Sequence, residues 1–394
     1  MLVVGTAAYL GLWSCWTERG VGCEAINNPF NQLAPVVLRL ATSVSTWPFY
    51  NFRYRKLLSE LAKRFSLYVF AGSTLPRDGK DYSFKLVTVL PFSRPRRIRY
   101  HLSPFLAYTA INAVNPDVLW LFDTATPIVP ILTSAPIVLD CDDPKVVLPR
   151  EELRRIPRLS LMNELRLLKN QKVRKIVVPT PMIKNRFVKL GVDEQKIEVI
   201  PNGVDTRLFS PTPLPDEPVV LYYGTFQPHR ARLLLDIVEV LAKARDDVRF
   251  LLVGDIPPPV KVRLRRVLGN RVEMPGFVEH DLLPSFIKRA RVCIFPQDRS
   301  LGRGGSFKLL EYMASGRPVV ATDVDESFPL KESGAGIVTK VDPEAMAKAV
   351  IELLDDDRLA NQLARKGVEY ARRYDWNKMV EDYVRLFHDV YNNQ

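Results

Sequence analysis

The sequence predicts an α/β protein made of two doubly wound parallel-sheet halves, one after the other along the chain, facing each other across a cleft. Three observations lead there. Short apolar runs alternate with amphipathic helical segments, the pattern of strand–helix–strand crossovers in parallel sheets. The alternation stops at a proline-rich connector, Pro211-Thr212-Pro213-Leu214-Pro215, and then starts afresh. The length, 394 residues, exceeds one ordinary domain and suits two.

Residues 1–35 stand apart from this pattern. Met1 to Trp16 is uncharged and mostly apolar, too short to span a bilayer comfortably and without the basic start of a signal peptide. The segment reads as an ill-ordered extension, with an interfacial anchor as the alternative. The first half, 36–205, opens with a strand at Val36-Val37-Leu38-Arg39-Leu40-Ala41. A helix from Phe52 to Arg64 follows, with Leu57, Leu58 and Leu61 on one face, and then a strand at Leu67-Tyr68-Val69-Phe70. Further strands are expected at Asp117–Phe122, Pro136–Leu139, Lys175–Val178 and Ile197–Ile200.

Two basic regions interrupt these elements. Arg94, Arg96, Arg97 and Arg99 lie beside Tyr100 and Phe105, a composition suited to an anionic membrane interface. The second, Arg154 to Lys175, reads as a leucine-studded helix with a solvated face packed on the sheet.

The second half, 206–375, restarts with a strand at Val219-Val220-Leu221-Tyr222-Tyr223 running into Gly224 and Thr225, then a helix from Leu233 to Ala244. The strand Phe250–Val253 ends at Gly254. An apolar run, Val292–Phe295, leads into Gly302-Arg303-Gly304-Gly305-Ser306 and a helix beginning near Lys308. Glycines there let backbone approach a ligand, and the following helix end offers free N–H groups to an anion. Lys308 works against the helix dipole in that first turn, which a phosphate contact would explain. Glu311, one turn on, is assigned to sugar hydroxyls; a plain surface Lys–Glu pair is the alternative. Residues 376–394 form a closing helix.

Composition narrows the function. A 47% hydrophobic content excludes a disordered chain. Cys15, Cys23, Cys141 and Cys293 form no CxxC pair, which indicates a reduced compartment and no zinc site. The net charge of +12 falls wholly within residues 1–210, so the first half is expected to meet something anionic: a membrane, a phosphate-bearing acceptor or nucleic acid.

Four strings together resemble the family 4 retaining glycosyltransferases (glycosyl transferases group 1) of the two-Rossmann GT-B architecture. They are Ile200-Pro201-Asn202-Gly203-Val204-Asp205, the strand–Gly224 loop, Leu251-Leu252-Val253-Gly254-Asp255, and the stretch from Lys308 to Thr322. Pro275-Gly276-Phe277-Val278 resembles the family segment that holds the nucleotide base. The resemblance implies sugar transfer, with retention, from a nucleotide-diphosphate sugar bound by the second half to an acceptor bound by the first, lipid-linked or a cell-surface glycan precursor. It places Arg230 and Lys308 on the diphosphate, Gly224, Thr225, Gly254, Phe277, Gly305, Ser306 and Glu311 around the donor, and the last helix back toward the first half. It also implies no cofactor. The chain is expected in the cytoplasm, either free or peripheral on the inner face of the membrane, and without a recognisable nucleic-acid motif no nucleic-acid partner is expected.

The chain departs from the family at three points: Thr225 replaces a second cation, Arg303 stands where a glutamate is usual, and the usual active-site histidine has no match. In its neighbourhood lies Asp140-Cys141-Asp142-Asp143, which makes Asp142 and Asp143 candidates for the donor sugar or acceptor. Asp-x-Asp occurs at Asp140/Asp142 and Asp323/Asp325, but a single-Rossmann, metal-dependent architecture does not fit two halves, and no metal is expected. Two alternatives stay open: a nucleotide-sugar epimerase or phosphorylase on the same architecture, and a non-enzymatic anion- or nucleic-acid-binding protein.

Overall fold

Two parallel sheets carry the chain in the computed structural model, which describes residues 38–44, 52–71, 85–88, 111, 113–122, 133–154, 156–226, 228–300 and 307–393. The first sheet contains β1 (Arg39–Val44), β2 (Ser66–Ala71), β3 (Lys85–Thr88), β4 (Val118–Phe122), β5 (Ile137–Asp140), β6 (Val173–Val178) and β7 (Ile197–Val199), in the order β3-β2-β1-β4-β5-β6-β7. The second contains β8 (Val219–Tyr223), β9 (Arg249–Val253), β10 (Val272–Gly276), β11 (Val292–Phe295), β12 (Val319–Thr322) and β13 (Gly336–Thr339), in the order β10-β9-β8-β11-β12-β13. The strand order reverses beside β1 and β8, and ligands bind at the carboxyl ends of strands at such switch points.

Helices α1 (Phe52–Leu61), α2 (Arg150–Leu153), α3 (Arg158–Leu168) and α4 (Pro181–Lys189) belong to the first half. The second half has α5 (Pro228–Ala244), α6 (Pro258–Leu268), α7 (Leu283–Ile287), α8 (Phe307–Ala314), α9 (Phe328–Ser333), α10 (Pro343–Asp355) and α11 (Asp357–Arg372), and α12 (Trp376–Asn392) ends the chain. Caps written in the sequence start several of them. Thr180 accepts from Ile183 N at 3.3 Å ahead of Pro181, and Asp342 and Asp356 each accept a backbone N–H at 2.8 Å ahead of α10 and α11.

Central strands β4, β5, β8 and β12 are buried along their whole length, which is why they read as unbroken apolar runs. β1 begins at Arg39, later than the apolar run suggests. Asp117 accepts from the Arg39 backbone N–H at 2.7 Å and from its guanidinium at 3.2 Å, and pairing with β2 and β4 carries the strand through polar Thr42 and Ser43. β3 is a strand beyond those expected, on the run Leu86-Val87-Thr88, and the helix expected from Arg154 to Lys175 is shorter: Pro157 precedes α3, and Arg174 and Lys175 belong to β6.

The last helix packs against the first half. Trp376, Met379, Tyr383, Leu386 and Phe387 of α12 share one apolar cluster with Leu57, Leu58 and Leu61 of α1 and Trp120 of β4. The two chain crossings between the halves run side by side: Val204 N donates to Tyr374 O at 2.8 Å, and Trp376 N donates to Val204 O at 3.1 Å. The Trp376 indole occupies the space of a side chain at Gly203, where a β-carbon would come within 2.6 Å of it.

A buried polar knot reinforces this crossing. Arg53, fully buried, donates to Asn202 Oδ1 at 2.5 Å, to the Tyr383 hydroxyl at 2.6 Å and to Ile200 O at 3.2 Å, and lies 3.5 Å from Asp140 Oδ1. The Tyr383 hydroxyl in turn donates to Asp140. Burial pulls the Arg53 pKa down, but Tyr383 and Asp140 beside it outweigh that and hold it above its ordinary value, so the guanidinium stays charged.

Candidate functional site

The second sheet presents three glycines at the ends of adjacent strands: Gly224 (φ 140°), Gly254 (φ 139°) and Gly276 (φ 87°). They follow β8 and β9 and close β10. These turns touch backbone to backbone: Gly224 N donates to Val253 O at 2.9 Å and Gly254 N to Gly276 O at 2.8 Å. A β-carbon at Gly254 would lie 2.1 Å from Gly224 O, so no larger residue fits.

Lys308, in the first turn of α8, reaches across to this corner. Its ammonium lies 5.4 and 5.6 Å from the ring centroids of Tyr222 and Tyr223, where the ring faces attract a cation. A β-carbon on Gly224 would come within 2.0 Å of Lys308 Nζ, so the glycine leaves the room that the lysine fills. The Tyr222 hydroxyl donates to Thr225 O at 2.9 Å and ties the next residue of the loop to the same strand end.

Glu311 lies one turn further along α8. It is only 2% exposed, and both its oxygens are engaged. The Tyr223 hydroxyl donates to Oε2, and His280 Nε2 lies 2.6 Å from Oε1. Burial pushes its carboxyl up to about 8. The Tyr312 hydroxyl accepts from Tyr223 N at 3.0 Å, and burial holds Tyr312 well above the ordinary phenol range. Phe277, directly after Gly276, is 74% exposed, an aromatic ring offered to solvent at a strand end.

The aspartates belong to the first sheet. Asp140, at the end of β5, is enclosed in the Arg53–Tyr383 knot. Asp142 is buried with Oδ1 3.5 Å from Asn202 Nδ2, and Asp143 is exposed. The structure therefore gathers Gly224, Gly254, Lys308 and Glu311 at one corner of the second sheet and sets Asp142 and Asp143 at the strand ends of the first. Arg230 falls in the first turn of α5 with its side chain outside the described set. Arg303, Gly305 and Ser306 lie outside the described residues, as do Arg94, Arg96, Arg97, Arg99 and residues 1–35. Among the described residues no group of three or more His, Cys, Asp or Glu side chains is placed to hold a metal ion.

The two halves meet through ion pairs and a cavity. Arg186 of α4 donates to Asp325 at 2.9 Å, and Arg299 donates to Glu152 of α2 at 3.1 Å. A cavity of about 250 Å³ lies between Thr180, Pro181 and Asn202 on one side and Leu310, Phe328 and Tyr370 on the other. His280 and Tyr223 escaped sequence reasoning. No motif marks them, and they reach Glu311 from positions 31 and 88 residues away.

Comparison with known proteins bears on the family and the fold. Residues 217–356 match the model of "Glycosyl transferases group 1", and residues 53–208 that of "Glycosyltransferase Family 4". A phosphatidyl-myo-inositol mannosyltransferase of Mycobacterium leprae is 31% identical over 203 residues, 48% of this chain and 53% of the relative. An alpha-D-kanosaminyltransferase of Streptomyces kanamyceticus is 29% identical over 188 residues, 45% of this chain and 47% of the relative. The chain thus spans about half the length of the curated relatives it matches. Among solved structures, sucrose-phosphate synthase from Thermosynechococcus elongatus superposes with a TM-score of 0.74 at 19% identity, covering 91% of this chain and all of that one. Anabaena HepE in complex with UDP and glucose gives 0.72 at 17%, covering 89% of this chain and all of that one.

Proposed function

Because the chain belongs to the group 1, family 4 glycosyltransferases and has their two-sheet fold, we propose that it moves a sugar, with retention, from a nucleotide-diphosphate sugar to an acceptor. The observation that carries this reading is the Lys308 ammonium held over Gly224 at the strand-order reversal, on the first turn of a helix whose N–H groups favour an anion. In this reading the Gly305–Ser306 backbone, Lys308 and Arg230 receive the diphosphate, and Thr225 and Gly254 border it. Phe277 offers a face for the base, and Glu311 accepts donor hydroxyls through lone pairs that Tyr223 and His280 leave open.

These cations stabilise the negative charge that grows on the leaving diphosphate. The bond from the anomeric carbon to the phosphate oxygen breaks, the bond to the acceptor oxygen forms on the same face, and the acceptor proton passes to the departing phosphate. Asp142 and Asp143, across the cleft, orient the donor sugar or the acceptor. No metal is required in this scheme.

The acceptor in this reading is lipid-linked or a surface-glycan precursor, met at a membrane on its cytoplasmic side. Among the described residues no helix is long and apolar enough to cross a membrane. On α3, however, Leu159 and Met162 are 65% and 50% exposed, beside exposed Arg158, Arg166 and Lys169. Apolar side chains ringed by cations suit an anionic lipid surface. Flotation with anionic vesicles, lost at high salt and in L159D/M162D, supports this; equal binding to neutral vesicles rejects it.

A thermal-shift screen of nucleoside diphosphates and nucleotide sugars, with and without chelator, tests the donor assignment. A specific stabiliser whose effect survives chelation is expected, and silence across the set rejects it. Donor consumption without any acceptor would instead indicate an epimerase, and phosphate-dependent cleavage a phosphorylase.

A further inference from the structure

His280 has no place in the mechanism above, yet it is bonded to a carboxyl group at the centre of the site. Its Nε2 lies 2.6 Å from Glu311 Oε1, and its ring packs edge-on against Phe209 with centroids 5.2 Å apart. Glu311 is buried, and among the described residues the imidazole and the Tyr223 hydroxyl are the side chains bonded to its two oxygens. We propose that His280 is a positioning residue of the donor site, which shares one proton with Glu311 and so makes the charge beside the diphosphate change with pH. The proposal rests on the donor-site reading above.

Two groups at hydrogen-bond distance titrate as a pair. With one shared proton, the pair is net neutral whichever partner carries it. Loss of that proton leaves a carboxylate one helical turn from Lys308, cancelling part of the cation's attraction for a diphosphate. Among the described residues, the other titratable groups near the pair are Tyr223 on β8, Tyr312 and Lys308 on α8, and Asp281, whose carboxylate lies 3.9 Å from His280 Nδ1, with Cys293 on β11 behind Tyr312. Burial keeps Tyr312 and Cys293 protonated across the neutral range. In this proposal the pair is the element whose charge changes there. Burial sets the direction by pushing the Glu311 carboxyl up to about 8, so the proton is lost on the alkaline side of neutrality.

Two measurements on the full-length chain test this. The first needs no ligand. The chain has four histidines, so the His280 imidazole can be followed by nitrogen NMR and assigned by its absence in H280Q. In Glu311→Gln its titration midpoint is expected to move by about one pH unit, because the carboxylate partner is gone; an unmoved midpoint overturns the shared proton.

The second is calorimetric titration with UDP, GDP and ADP between pH 6 and 9. Wild-type affinity for the nucleotide that binds is expected to fall about tenfold more than that of Glu311→Gln over this range, the nucleotide's own ionisation being common to both. His280→Ala should bind about tenfold more weakly near neutrality, because the buried carboxyl loses a partner. His280→Gln, whose amide still donates to Glu311, should regain affinity without the wild-type pH profile. A purely structural role would lower Tm in His280→Ala and leave the pH profile of binding unchanged, and that outcome overturns the proposal. Failure of all three nucleotides to bind the wild type overturns the donor-site reading itself. The NMR result then still decides whether the proton is shared.

Discussion

The Lys308 ammonium occupies the space that a β-carbon would take at Gly224. One residue follows a strand and the other lies in the first turn of a helix, 84 positions later, and each is explained by the other. Gly224 has φ 140°, which other residues rarely adopt, and its missing side chain admits the cation to the strand end. Gly224→Ala is therefore expected to displace Lys308 and to cost about 1–3 kcal/mol of stability through backbone strain. Lys308→Ala should leave stability near wild type and lower turnover by about 10²–10³-fold. Urea unfolding alongside kcat measurements separates the two; near-normal turnover in both variants refutes the role of this corner.

Glu311 predicts a pH dependence of stability. Its carboxyl ordinarily titrates near 4.5, and burial raises that to about 8 in the folded protein. The folded state thus retains a proton that the unfolded state has lost. The stabilising contribution is complete below about 4.5 and is lost as pH rises toward about 8. Relative to Glu311→Gln, the wild type should lose at most about 1.4 kcal/mol per pH unit across that window and show no further difference above it. Equal slopes for the two proteins in denaturant titrations would contradict this.

Breaking the buried knot should be costly. Arg53 and Asp140 are both fully buried, and removing one partner leaves an uncompensated charge. Arg53→Ala is expected to lose about 3–5 kcal/mol and Tyr383→Phe about 1–3 kcal/mol, with the double variant less than additive. Additive losses in a double-mutant cycle would show that the contacts act independently.

Phe277 makes the opposite prediction. At 74% exposure it contributes little to the core, so Phe277→Ala should change stability by less than about 0.5 kcal/mol. Nucleotide affinity should nevertheless fall, and titration with the nucleotide found in the thermal-shift screen checks it. Unchanged affinity removes Phe277 from the base site.

Much of the fold was legible because buried parallel strands leave long, unbroken apolar runs. Val219–Tyr223 is buried throughout and was bounded correctly from sequence alone. The start of β1 was not legible, because its pairing with β2 and β4 rather than the local apolar run defines it; β3 carries a readable run, Leu86-Val87-Thr88, that the expected strands left out. Asp140 and Asp142, neighbours in a short acidic string, join one buried knot at different points: Asp140 pairs with Arg53 and accepts from Tyr383 of α12, while Asp142 meets Asn202, which itself accepts from Arg53.

By itself, the sequence determined two doubly wound halves, a proline-marked connector and a glycine loop leading into the Lys308 helix, since apolar periodicity and backbone freedom are local properties; that Lys308 comes to rest at Gly224 is a tertiary fact. Only tertiary structure decided that the corner is closed by Tyr223 and His280 and that Glu311 is buried between them. The physical reason is distance along the chain: a hydrogen bond at 2.6 Å between groups 31 residues apart leaves no trace in spacing or composition. It exists only once β8, the loop after β10 and α8 are packed together.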